Sequence, residues 1–237
     1  MQATSVVPAE VARFDALASR WWDPNGPMRP LHRMNPARIA WITTRIAARF
    51  ADPGGVRVLD VGCGAGLAAE ALAQRGYRVL GIDAAGEAIE AARTHAAGQP
   101  LALEYRIATA EALVAEGARF PVIAALEVIE HVADPDAFLR ILADLLEPGG
   151  LLFLSTLNRT TRSFVVAKLG AEYLLRLLPV GTHDWRKFIT PAELGAGLRR
   201  AGLNVVEITG MTPAPLTGGW RTGRDLAVNY LAMAERP

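Results

Sequence analysis

Val56-Arg-Val-Leu-Asp60-Val-Gly62-Cys-Gly64-Ala-Gly66 is a short apolar run that breaks into alternating glycines. A run of branched aliphatic residues that stops at glycine reads as a buried strand entering a tight turn. Residues 67–75 follow at helical spacing, and the same unit then recurs along the chain. Residues 77–82 form a second strand ending at Asp83, with a helix over 87–95. Residues 104–107 give a weak third strand and 120–126 a fourth. The segment 136–146 is helical, with Phe138, Ile141, Leu142 and Leu145 on one face. A Pro148-Gly149-Gly150 turn launches a fifth strand at 151–156, and 204–208 and 227–234 supply two late strands. Residues 23–30 and 211–219, rich in proline and glycine, read as loops. Alternation of this kind predicts a parallel sheet covered on both faces. On such sheets ligands bind beyond the carboxyl ends of the strands.

Composition narrows the class. The 237 residues carry 25 Lys+Arg against 24 Asp+Glu, 51% hydrophobic residues and 21% charged residues. That is ample for the core of one domain and far from the disordered class. A formal net charge of +1 provides no global basic field for nucleic acid. A single cysteine, Cys63, excludes an internal disulfide framework and a cysteine-rich zinc site, as expected in a reducing compartment. Residues 1–10 lack the basic start of a signal peptide, and no uncharged apolar run reaches 18 residues, so no spanning helix is expected. Mean hydropathy, at +0.20, is slightly high for such a protein.

The glycine loop alone fits a dinucleotide site, another nucleotide-like ligand, or a bare turn beside a solvated Asp60. Two details point away from the dinucleotide. The spacing is GxGxG rather than GxGxxG, and Asp60 lies two residues before the first glycine. A carboxylate there repels pyrophosphate and suits a cation. S-adenosylmethionine carries a sulfonium and an ammonium and no phosphate. Asp83, 21 residues beyond Gly62 at the end of the second strand, is placed to accept both ribose hydroxyls.

From Asp60 through Leu126-Glu127 and the Leu146-Glu-Pro-Gly-Gly150 turn, the chain resembles class I S-adenosylmethionine-dependent methyltransferases. The resemblance implies a Rossmann-like α/β fold, a seven-stranded mostly parallel sheet with helices on both faces and an antiparallel last strand near 227–234. Further stretches resemble one family, the ubiquinone-biosynthesis O-methyltransferases. They are Phe14-Asp-Ala-Leu-Ala-Ser-Arg-Trp-Trp-Asp23, Leu31-His-Arg-Met-Asn-Pro-Ala-Arg38, Ser155-Thr-Leu-Asn-Arg159, Gly170-Ala-Glu-Tyr173, Gly181-Thr-His-Asp184, Lys187-Phe-Ile189 and Val228-Asn-Tyr230. That resemblance implies two O-methylations of polyprenylated phenols, 2-polyprenyl-6-hydroxyphenol and 3-demethylubiquinol. It also implies cofactor-binding roles at Arg38, Gly62, Asp83 and Leu126, alongside Asp60 and Gly64. Leu126 stands where relatives often carry Met, a change of little consequence if the contact is through the backbone. The other readings are a methyltransferase of another small phenol or carboxylate, or a non-catalytic cofactor- or lipid-binding module of a biosynthetic complex.

Arg38 suits a bidentate pair with the methionine carboxylate. Its other reading is a solvated arginine on a helix over 37–50, whose buried stripe is Ile39, Ile42, Ile46 and Phe50. If a helix begins after the fourth strand, Glu127, Glu130 and His131 share a face at i, i+3 and i+4. They then bind a divalent cation, Mg²⁺ or Zn²⁺, as the resemblance also implies, or they pack the wall of the site without metal. A phenol titrates near about pH 10. A metal stabilises its phenolate, or His131 removes the proton as general base. His183 and Asp184 either cover the ring or sit in a surface turn. His32 and His95 gain no support from their neighbours and are expected to be exposed.

The domain plan is a single methyltransferase domain over 1–237, with an N-terminal helical cap at 1–50 and an insertion at 159–190. Within it, 163–178 carries charges only at Lys168, Glu172 and Arg176, one stripe of an otherwise apolar helix. Such a helix is either interfacial, touching a membrane, or buried in a core or dimer interface. Six basic against two acidic residues over 159–187 give a local net charge of +4, which favours an anionic membrane surface. The localisation expected is cytoplasmic, peripheral to the inner membrane, with a possible ubiquinone-biosynthesis complex as partner.

Overall fold

The computed structural model describes residues 5–165, 185–214 and 218–237. The greater part of the segment 163–178, with His183 and Asp184, lies outside the described residues. Strands β1 (Arg57–Val61), β2 (Arg78–Asp83), β3 (Leu103–Ile107), β4 (Phe120–Leu126), β5 (Leu146–Leu157), β6 (Asn204–Ala214), β7 (Gly219–Gly223) and β8 (Asn229–Glu235) form one sheet in the order β3-β2-β1-β4-β5-β8-β6-β7. The pairs among β1 to β5 are parallel, and β8 runs antiparallel to both β5 and β6.

Period-two alternation decides which residues face which layer. On β1, β4 and β5, Val58, Val122, Ala124 and Phe153 pack into one core. Leu59, Ile123, Leu152 and Leu154 pack into the other. Helices α2 (Arg29–Arg49), α3 (Leu67–Ala73) and α4 (Gly86–Ala96) cover the first core through Ile42, Leu72 and Ile89. Helices α5 (Ala110–Ala115) and α6 (Pro135–Leu145) cover the second through Leu113, Phe138 and Leu142. After a short turn α7 (Thr161–Ser163), helix α8 (Pro191–Arg200) joins that side through Leu194 and Leu198. Helix α6 starts where Asp134 caps the Ala137 N–H at 3.0 Å and Pro135 occupies the first turn, both standard helix starts. Helix α1 (Pro8–Leu17) has no fully buried residue and lies against α4.

Three expectations change. The sheet has eight strands rather than seven, because residues 211–214 and 219–223, expected in part as a loop, pair as strands. Met211 pairs with Thr222 and Pro213 with Trp220, placing β7 at the edge. Pro213 lies on β6 beyond Met211, the last residue paired with β8, so its missing N–H breaks no ladder on that side. Helix α2 begins at Arg29 and runs through Pro36, well before the expected start at residue 37. Helices α1, α5 and α8 were not marked by the spacing of their apolar residues. Among the described residues no helix is long and apolar enough to cross a membrane.

Candidate active site

Strand order reverses between β1 and β4, and the crevice beyond their carboxyl ends is where such a sheet takes a ligand. Strand β1 delivers the glycine loop to it. Gly62, Gly64 and Gly66 have φ of 69°, 53° and 89°, angles that side chains resist. The groups closest to them belong to the protein. A Cβ would lie 2.6 Å from Val128 on Gly62, 2.3 Å from Trp21 on Gly64 and 2.0 Å from the Tyr105 hydroxyl on Gly66. Room for a ligand is thus not the sole reason for these glycines, although Gly62 and Gly64 do line the cavity described below.

Asp83 ends β2 and accepts the backbone N–H groups of Gly64 and Ala85, each at 2.8 Å, on its two oxygens. Burial raises its pKa against those bonds. Each oxygen keeps a lone pair for a further donor. Behind the loop, Asp60 is 1% exposed and its Oδ2 has no hydrogen-bond partner. Burial pushes its carboxyl up to about 7, with Arg38 opposing and Asp83 adding to the rise. Arg38 is 3% exposed, so the solvated reading does not hold. Asn35 accepts one guanidinium N–H at 3.1 Å and donates to the Leu67 carbonyl at 2.8 Å. The Nε and Nη1 of Arg38 are buried without a hydrogen-bond partner. A buried carboxylate oxygen and a buried guanidinium edge, both unpartnered, fit the ammonium and carboxylate of an amino acid such as the methionine end of S-adenosylmethionine. Asn35 was not singled out from sequence, although it stands three residues before Arg38, the spacing at which helical side chains meet.

After β4, the expected helix does not form. Glu127 has φ of 59°, which is strained by about 1–2 kcal/mol for a residue with a side chain, and only a 3₁₀ turn, Ile129–His131, follows. The three acid and imidazole groups therefore have separate partners. Glu127 accepts the Ser155 hydroxyl at 2.6 Å and the Asn229 amide at 3.3 Å, and lies 4.0 Å from Arg38. Buried Glu130 accepts the Thr156 hydroxyl at 2.9 Å, and burial with the nearby Glu127 charge raises its pKa. His131 Nδ1 faces Glu10 of α1 at 3.2 Å. Burial lowers the His131 pKa, but Glu10 and Glu130 outweigh it and the net shift is upward. Among the described residues no group of three or more His, Cys, Asp or Glu side chains is arranged to hold a metal ion. The shared-face geometry for Glu127, Glu130 and His131 is thus corrected, and these donors as placed do not fit a divalent cation.

Asp83, Leu126, Glu127, Glu130 and His131 all line one cavity of about 360 Å³. The rest of its wall is largely hydrocarbon, including Val7, Val11, Phe14, Leu17, Met34 and Val228. Phe14 meets the His131 ring edge-on at 5.3 Å. Trp21, Thr109 and Trp220 also line the cavity, from the cap, the start of α5 and the unexpected strand β7. Glu10 was missed because nothing in local spacing marks His131, 121 positions away, and Trp21 and Trp220 reach the cavity only through the tertiary fold. His95 is exposed as expected and His32 only half-buried, yet both have partners. His32 Nε2 lies 2.8 Å from the Trp21 carbonyl, and His95 Nδ1 lies 2.9 Å from both Glu70 oxygens.

A family model described as a methyltransferase domain matches residues 31–208. A ubiquinone biosynthesis O-methyltransferase of Parvibaculum lavamentivorans is 50% identical over 98% of this chain and 95% of its own length. One from Cereibacter sphaeroides is 50% identical over the whole of both chains, 100% of each. Among solved structures, magnesium protoporphyrin IX methyltransferase from Synechocystis with bound S-adenosylmethionine superposes with a TM-score of 0.63. It is 17% identical and covers 99% of this chain and 100% of its own. The [4+2]-cyclase SpnF has a TM-score of 0.59 at 18% identity, covering 83% and 80%. Neighbours this remote establish the fold, and that fold evidently carries more than one kind of chemistry.

Proposed function

The chain belongs to the family of ubiquinone biosynthesis O-methyltransferases, and on that premise we propose that it methylates phenolic hydroxyls of polyprenylated quinone precursors. The methyl donor is S-adenosylmethionine. When bound, the donor supplies a methyl group on a sulfonium, which the phenolate oxygen takes in line as the carbon–sulfur bond breaks and S-adenosylhomocysteine leaves. The observation that carries the reading is the hydrocarbon-lined cavity with a polar floor at its switch-point end. Such a wall suits an isoprenoid-substituted ring better than a small polar phenol.

In this reading Asp60 and Arg38 face the amino-acid end of the donor, with Asn35 orienting the guanidinium. Asp83 holds the ribose, while Gly62, Gly64 and Leu126 supply the surface on which the donor lies. His131 is the general base. A carboxylate behind an imidazole orients the ring and raises its basicity, and Glu10 occupies that position. Glu127 and Glu130, fixed by Ser155, Asn229 and Thr156, keep the remaining wall polar where the phenolate forms. No step is assigned to a metal. Residues 1–50 act as a cap over the donor, and 159–190 as the insertion that covers substrate and meets an anionic membrane surface. The protein then works peripherally at the cytoplasmic face of the inner membrane, where its substrate is dissolved. The flanks of that insertion are basic, with Arg159, Arg186 and Lys187 around a second cavity of about 460 Å³.

The test is transfer of radiolabelled methyl from S-adenosylmethionine to a short-tailed catechol, with and without a chelator. Transfer that survives stringent chelation supports the metal-free reading. Loss that Mg²⁺ or Zn²⁺ restores would return a metal to the site. No transfer under any condition would overturn the assignment.

A further inference from the structure

We propose that His95, on α4 and away from the cavity, is a positioning residue for methyl-donor binding. Its ring, which bonds buried Glu70 of α3, stacks on Trp22 and so fixes the neighbouring Trp21 as the roof of the donor site. The inference rests on reading the cavity at the glycine loop as the donor site.

The chain of contacts is continuous. Glu70 of α3 is 2% exposed and accepts His95 on both oxygens. Gln99 closes the arrangement by donating to the His95 carbonyl at 2.8 Å. The imidazole so fixed lies flat on the Trp22 indole, with centroids 3.4 Å apart and planes 1° from parallel. Trp22 also donates its Nε1–H to the Ala65 carbonyl inside the glycine loop at 2.9 Å, and meets His32 edge-on. The adjoining Trp21 is held through its carbonyl by His32. Its indole lies over Gly64, where a Cβ would come within 2.3 Å of it, and lines the cavity. Trp21 is 6% exposed, and its Nε1–H is buried with no hydrogen-bond partner. A buried indole donor left without a partner at a ligand cavity is a group waiting for an acceptor, since buried polar groups are otherwise satisfied.

This geometry makes a specific demand. Two adjacent tryptophans point to different tasks, one stacked on the scaffold and one closing the site, and the first determines where the second lies. A stacked ring pair fixes orientation as well as position, which an aliphatic contact would not do. The His95 side chain is 39% exposed, so its replacement opens no core cavity, but it removes a partner of buried Glu70, which the thermal midpoints register.

The experiment measures S-adenosylhomocysteine binding by titration calorimetry, with steady-state kinetics, for wild type, His95→Ala and His95→Phe. Thermal midpoints verify that each variant is folded. The expected result is a dissociation constant and donor KM raised about three- to tenfold in His95→Ala, the size of one aromatic contact. The acceptor KM should be unchanged, and His95→Phe, which restores a flat ring, should stay within about twofold of wild type. A folded His95→Ala with wild-type donor binding would overturn the proposal. So would His95→Phe impaired as badly as His95→Ala, or donor and acceptor KM rising together. If the wild-type protein binds no S-adenosylhomocysteine, the donor-site reading itself fails and takes this proposal with it.

Discussion

Replacing Asp60 with asparagine isolates one buried charge and gives opposite effects on stability and on donor binding. Burial carries the Asp60 carboxyl from 3.8 to about 7 in the donor-free protein. At about 1.4 kcal/mol per pH unit, that is about 4 kcal/mol of unfavourable charge burial once the group is ionised. Because the folded-state value lies above the unfolded one, the folded protein binds the proton more tightly. The associated stability is complete below 3.8 and is lost as pH rises to about 7. Asp60→Asn, neutral throughout, escapes that loss. Without donor it should melt several degrees above wild type at pH 8, and the difference should shrink toward pH 4. Donor binding behaves in the opposite way. The cationic donor favours the carboxylate, so a proton must leave as it binds, and wild-type affinity should weaken about tenfold from pH 8 to pH 6. Asp60→Asn should bind more weakly at pH 8 with most of that dependence gone, which separates Asp60 from titration of the donor's own ammonium. Calorimetric titration across this range, beside thermal melts, checks both arms. A wild-type dissociation constant flat from pH 6 to 8, or an Asp60→Asn protein with the wild-type slope, would refute the reasoning.

Glu10→Gln should leave His131 less basic, because Glu10 helps hold its pKa above the ordinary value. The ascending limb of kcat/KM against pH then moves to lower pH while the plateau falls about tenfold. Gly64→Ala should be destabilising and donor-defective together. Its φ of 53° strains any side chain by about 1–2 kcal/mol, and its Cβ would lie 2.3 Å from Trp21. Thermal melts and donor titration read the two effects separately. Deleting 163–178 should leave a folded protein that no longer cosediments with anionic liposomes, and undiminished binding would remove that segment from the membrane proposal.

The sequence was most informative where the physics is local. A strand ended by glycine, an acid two residues before the first glycine and another closing the next strand lie within one α/β unit, so Asp60, Gly62 and Asp83 could be placed by counting. Arg38 was singled out for its charge, and nothing in a helical stripe reveals its burial. It is buried because Asp60 and Glu127, from the ends of β1 and β4, lie near it, and those come from other elements than its own helix. The Glu127, Glu130 and His131 set was drawn on the assumption of a helix. A left-handed backbone at Glu127 turns the chain elsewhere, and Ser155, Thr156 and Glu10 then claim the three groups one by one. His95 was judged unsupported because its partners, Glu70 and Trp22, are 25 and 73 positions away. The eighth strand was hidden by residues 211–219, where proline and glycine signal a turn whether or not the flanking residues pair.

The position of β8 bears on how the molecule is made. It follows β6 and β7 in sequence yet lies between β6 and β5 in space. As the polypeptide leaves the ribosome, the β6–β7 hairpin has no docking place until residues 229–235 have emerged. Until then the outer edge of β5, which includes the apolar run from Leu151 to Leu154, is unpaired. An open apolar edge invites pairing with another nascent chain. A chain truncated after residue 228, which lacks β8, should therefore go to the aggregated fraction, while the full chain should not.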